Sequence, residues 1–168
     1  MTINNNIQES YCGFEVAKLL KEKGFGIPTE YFYSKDGHAS YLEPSGDYVH
    51  LHSNVAPLQS YFDGRYNWNL LAHSDEDTQI MLKTSFNEAD EMCSCLCSRP
   101  THALAVEWLR VNFGIWIHCY FVPAYHLSEG HWCVNIDSCN ISKSLNYYKD
   151  PNEAFDTAIF YTLQNLIE

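Results

Sequence analysis

Around Gly114 the spacing of apolar residues changes from helical to strand-like. Before it, Leu104, Ala105, Trp108 and Leu109 recur at helical intervals and share one face. After it, Ile115, Ile117, Cys119 and Phe121 line one face of an extended strand, and Trp116, His118, Tyr120 and Val122 line the other. Pro100 suits the first helical position, where a missing N–H costs little, and Gly114 suits the helix end. A second strand follows Ser128-Glu129-Gly130, with Trp132, Val134 and Ile136 opposed to His131, Cys133, Asn135 and Asp137. Asp150-Pro151-Asn152-Glu153 reads as a capped helix start, and Phe155, Ala158, Ile159, Thr162, Leu163 and Leu166 form the stripe of a closing helix.

The first half carries a similar but shorter pattern. Phe14, Val16, Ala17, Leu19 and Leu20 make an apolar stripe, Lys18, Lys21 and Lys23 face water, and Gly24 suits a left-handed cap. Tyr31-Phe32-Tyr33 and the stretch from His38 to Leu42 flank Ser34-Lys35-Asp36-Gly37, whose Asp-Gly pair favours a tight hairpin turn. Residues 1–10 are polar and Asn-rich and read as a frayed tail. Between 44 and 99 the periodicity is weak, with strands suggested at Tyr48 to Leu51 and Gln79 to Lys83.

These elements predict an α+β fold, with antiparallel sheet built from hairpins and packed by helices near 14–23, 101–113 and 151–167. The expected organisation is one domain with two lobes. Residues 11–99 form an αββ unit with an irregular insert, and residues 100–168 form an αββα unit. Of the 168 residues, 46% are hydrophobic and 15% aromatic, which is ample for such a core.

Charge narrows the partners. A formal charge of −11 sets 21 acids against ten Lys and Arg, which disfavours duplex nucleic acid as a ligand. The N-terminus lacks the basic start and apolar stretch of a signal peptide, and no apolar run reaches the ~18 residues of a membrane span, so a cytoplasmic location without membrane contact is expected. Seven cysteines, at 12, 93, 95, 97, 119, 133 and 139, then read as reduced thiols instead of a disulfide framework.

Three segments carry a family resemblance: Phe14 through Phe25, Pro100-Thr101-His102-Ala103-Leu104-Ala105 through Trp108-Leu109-Arg110, and the helix from Glu153-Ala154 to Leu166-Ile167. Together they cover about a third of the chain, and they resemble small proteins encoded by phages and prophages of gut Bacteroides-type bacteria. The chain departs from that pattern in having Gly13 where a capping Ser is usual, and in its long middle with His and Cys. The resemblance carries no functional residues across. It implies an accessory phage protein, a class that often counters host defence by occluding a protein or sequestering a nucleotide signal.

Several constellations bear on chemistry. The strand face of Trp116, His118 and Tyr120, joined by His131, Cys133, Asn135 and Asp137, mixes flat rings with donors and acceptors and suits stacking a base or docking a partner. The competing reading is that these rings cover a layer made by residues 44–99. An anionic ligand on this face would need Arg99, Arg110 or protonated His118 and His131 around its phosphates. His38-Ala39-Ser40 and His126-Leu127-Ser128 match the paired His-x-Ser/Thr pattern of two-histidine phosphoesterases, in which one imidazole acts as base and the other as acid.

Cys93, Cys95 and Cys97 alternate along an extended segment, with His102 following, and offer zinc-type donors. No second cysteine pair stands at a matching spacing, so the thiols read first as metal-free. His50 and His52 share a strand face without a nearby carboxylate and read as solvent-facing. Cys133 and His131 point in parallel as sheet neighbours, which suits packing better than a thiolate–base pair. Neither a Gly-x-Ser-x-Gly elbow nor a phosphate-binding Gly-x-x-x-x-Gly-Lys loop occurs in the sequence. The reading is therefore a non-enzymatic phage accessory protein without a cofactor, binding a host protein or a small nucleotide. The alternative is a phosphoesterase for cyclic or oligonucleotide phosphates using His38, Ser40, His126 and Ser128.

Overall fold

The computed structural model describes residues 9–41, 68–71, 95–124 and 129–167. The strands suggested at 48–51 and 79–83, most of the tail and the residues 42–67 and 72–94 lie outside them. The architecture is α+β with antiparallel sheet, as the hairpin pattern predicts, and the described residues form two three-stranded sheets. No helix among the described residues is long and apolar enough to cross a membrane.

The chain divides into two units. One is Phe14–Pro100, and the other joins Thr101–Glu168 with the N-terminal residues up to Gly13. Residues 9–13 thus group with Thr101–Glu168 and not with the segment that follows them. Residues 9 and 10 are not a frayed end: the Ser10 carbonyl accepts from the His102 N–H at 3.0 Å, and Tyr11 bridges to Thr101.

In the C-terminal unit, α3 (His102–Phe113) leads into β4 (Trp116–Val122), β5 (His131–Asp137), β6 (Ser142–Tyr148) and α4 (Pro151–Asn165). Thr101 caps α3 by accepting from the Leu104 N–H at 3.2 Å, so Pro100 precedes the cap and does not occupy the first helical position. Gly114 ends the helix at φ 65°, a left-handed conformation that a Cβ disfavours. Asp150 caps α4, with Pro151 following as expected.

Helix α4 packs along β4, β5 and β6 and also meets α3. Ile117, Val134 and Ile136 on the sheet meet the helix layer that buries Ala154, Ala158, Ile159, Thr162 and Leu163. Phe155 and Leu166, assigned to the buried stripe, are instead half-buried, whereas Ala154 and Ile167 are buried. Ala158, Ile159, Thr162 and Leu163 are buried as expected, so the contact face keeps its predicted direction and gains Ala154 at one edge. The unit is αβββα, with one strand more than predicted. Strand β6, sequence Ser-Lys-Ser-Leu-Asn-Tyr-Tyr, is a polar edge strand without apolar alternation.

The other unit contains α1 (Phe14–Glu22), β1 (Tyr31–Ser34), β2 (Ala39–Tyr41), α2 (Trp68–Leu71) and β3 (Cys95–Arg99), with sheet order β2-β1-β3. Gly37 closes the expected hairpin at φ 83°. Central strand β1 is buried on both faces. Phe32 meets Trp68 at a centroid separation of 4.5 Å, and Tyr33 meets Phe14 at 5.3 Å. Trp68 donates to the Thr29 carbonyl at 2.9 Å. Asn69 donates to the Phe25 carbonyl and accepts from the Ser98 N–H, tying α2 to β3 through one buried amide.

Candidate functional site

The face of β4-β5-β6 opposite α4 is built by register. Trp116 pairs with Asp137, His118 with Asn135, and Tyr120 with Cys133, so these side chains share one surface as the alternation predicts. Trp116 is 47% exposed, Tyr120 43% and Tyr147 79%. Arg110 at the end of α3 lies 5.1 Å from the Trp116 ring centroid, within cation–π range, and also pairs with Glu107. The Trp116 and His118 rings are nearly parallel at 6.1 Å. Asn135 Oδ1 is buried and accepts no hydrogen bond among the described residues.

Strand β6 adds a residue that sequence periodicity missed. Trp132 pairs with Tyr148 and Val134 with Leu145, so Asn146 and Tyr147 both oppose Cys133 in a bulge. Tyr147 takes φ 76° there, the one non-glycine with positive φ among the described residues. A side chain in that conformation costs about 1–2 kcal/mol. Its ring stacks on His131 at 4.7 Å.

The other candidates lie elsewhere. His38 precedes β2, its side chain 83% exposed and 3.7 Å from Asp36. Ser40 lies in β2, and its proposed partners His126 and Ser128 fall outside the described residues. His50, His52 and Cys93 also fall outside them. Cys95 and Cys97 lie in β3 as an extended segment, and Cys97 is buried beside Ala17 and Tyr33. Desolvation pushes the Cys97 thiol up to about 11, despite the nearby Lys21 and Lys18. That makes it a poor source of thiolate. Cys119 is raised as well, first by burial and then by neighbouring Cys133. Arg99 sits over the rings of Tyr33 and Tyr31 in the sheet of its own unit.

His102 belongs to a different constellation from the one its sequence neighbours suggest. Within the C-terminal unit its Nε2 lies 2.9 Å from Asp156 Oδ1 and its Nδ1 2.9 Å from Ser10 Oγ. Both oxygens of Asp156 accept from the Gly13 N–H, at 3.0 and 3.1 Å. One potential donor atom from each of Cys12, His102 and Asp156 falls within 4.8 Å of the other two. Phe155 covers the imidazole at 5.5 Å in a stacked arrangement. The residue types match a thiol–imidazole–carboxylate triad, but the geometry is not that of an exposed nucleophile. Cys12 is 0% exposed and the two His102 nitrogens contact Ser10 and Asp156, so the thiol is not presented to a substrate. The three residues are 90 and 54 positions apart, so no local motif signals the cluster. Searches of family models, curated proteins and solved structures return no match to this chain.

Proposed function

We propose that the protein is a small non-enzymatic accessory protein, phage-encoded as its resemblance implies, that binds a host protein through the outer face of β4-β5-β6. The observation that carries this reading is Tyr147. An exposed ring held at positive φ spends folding free energy where packing gains little, a pattern that concentrates at binding and catalytic positions. With Trp116 and Tyr120 it forms an aromatic surface whose hydrogen-bonding groups include His118, His131 and Asn135. Aromatic rings on a rigid sheet contribute large contact area at small entropic cost. The openness of the face favours a protein over a small ligand, since small-molecule sites are usually concave.

A nucleotide signal is the second reading, favoured by Arg110 over Trp116, where a cation and a stacking ring are presented together. One experiment treats both. The Trp116→Ala/Tyr120→Ala variant and the wild-type protein are compared for binding to candidate host defence proteins, cyclic oligonucleotides and cyclic ADP-ribose isomers, with bound ligand analysed after denaturation. Loss of binding with an unchanged melting temperature is the expected result. Intact ligand means sequestration; altered ligand means catalysis, which overturns the non-enzymatic reading and favours the two-histidine alternative. Unchanged binding in the folded variant removes this face from the mechanism.

A further inference from the structure

We propose that Cys12, His102 and Asp156 form a mononuclear zinc site. This is independent of the aromatic face and of any partner it takes. Sulfur, imidazole nitrogen and carboxylate oxygen are the three protein donors zinc uses most, and here one of each converges within 4.8 Å. The site is pre-formed by the fold. Cys12 is 0% and His102 1% exposed, so two ligands need no large rearrangement to leave solvent.

The surroundings match what a zinc site requires. Ser10 Oγ holds His102 Nδ1 at 2.9 Å, which orients the ring so that Nε2 faces Asp156. The Gly13 N–H fixes the carboxylate through both oxygens. Among the described residues no Lys or Arg pairs with Asp156, whose Oδ1 lies 2.9 Å from His102 Nε2. A thiolate and a carboxylate together carry two negative charges, and a divalent cation between them leaves the buried set neutral.

Zinc entry displaces the Cys12 thiol proton to solvent and replaces the direct His102–Asp156 hydrogen bond with coordination to both groups. The ligating tautomer then donates from Nδ1 to Ser10, whose hydroxyl can accept as well as donate. Asp156 is the most exposed of the three, with 33% of its side chain accessible, so water reaches the site from that side and can complete a four-ligand set.

The test uses the full chain, stripped of metal with a chelator and then titrated with zinc or with cobalt(II) as a spectroscopic substitute. The expected result is one metal per chain, a rise in melting temperature with zinc, and a thiolate-to-cobalt charge-transfer band. Cys12→Ser removes the band, and Asp156→Asn, which keeps an oxygen for the Gly13 N–H, weakens zinc binding by roughly tenfold or more. Cys139→Ser, at an exposed cysteine, keeps the band. The absence of a charge-transfer band in the wild-type protein overturns the proposal even if Cys12→Ser fails to fold. A band that survives Cys12→Ser in folded protein also overturns it, by placing the metal on other thiols.

Discussion

At the residue scale, burial and backbone strain decide which side chains can act. Cys97 has a folded pKa of about 11, above its ordinary value of 9.0, because desolvation opposes the thiolate. A raised acid pKa means the folded state holds the proton longer. Its contribution to stability is therefore constant below about pH 9 and is lost as pH rises toward 11, at no more than about 1.4 kcal/mol per pH unit. Urea denaturation of wild type and Cys97→Ala should show the stability gap narrowing over that window; a gap that stays constant from pH 8 to 11 contradicts the assigned burial effect. In the folded protein, thiol reagents should modify exposed Cys139 well before Cys97. Tyr147 makes the opposite case, exposed but strained. Tyr147→Asn, which tolerates positive φ better, should raise stability by about 0.5–1 kcal/mol while weakening partner binding. If stability falls instead, the ring's stacking on His131 outweighs its backbone cost.

At the element scale, local signals were legible wherever a cap and an apolar stripe coincided. Both long helices of the C-terminal unit start within a residue of the expected 101 and 151, and Gly24 and Gly114 take the positive φ expected of helix-ending glycines. Strand β6 was not legible, since an edge strand pairs through its backbone and needs no apolar face. Helix α4 is the cover of the sheet. Ending the chain at 149 should expose Ile117, Val134 and Ile136 and remove the burial of Ile159 and Leu163, each worth about 1.5–3 kcal/mol. Loss of near-ultraviolet circular dichroism and of a cooperative melt in the C-terminal unit is expected; a truncated protein that keeps both contradicts the assigned packing.

At the scale of the whole molecule, the chain leaves the C-terminal unit at Gly13 and re-enters it at Thr101. Those two points are held close by the Tyr11–Thr101 bridge, the Ser10–His102 contacts and the Gly13–Asp156 hydrogen bonds. Replacing residues 14–100 by a short Gly-Ser linker should therefore leave a folded αβββα unit, because closing a short loop between adjacent ends costs little entropy. Dispersed amide resonances and a cooperative melt are the expected readout. A collapsed, non-cooperative product shows that the C-terminal unit depends on the residues removed.

The sequence by itself determined the α+β class, the hairpins, the Asp150 cap and the helix-ending glycines, and the aromatic strand face, since each follows from spacing within about twenty residues. Only the tertiary structure decided the rest. The bulge that puts Tyr147 beside His131 depends on the β5–β6 register, which local spacing does not encode. The same holds for His102. Read along the chain it belongs with Cys93, Cys95 and Cys97, yet the fold sets it against Ser10, Cys12 and Asp156, because contacts between distant segments are selected by packing of the entire unit.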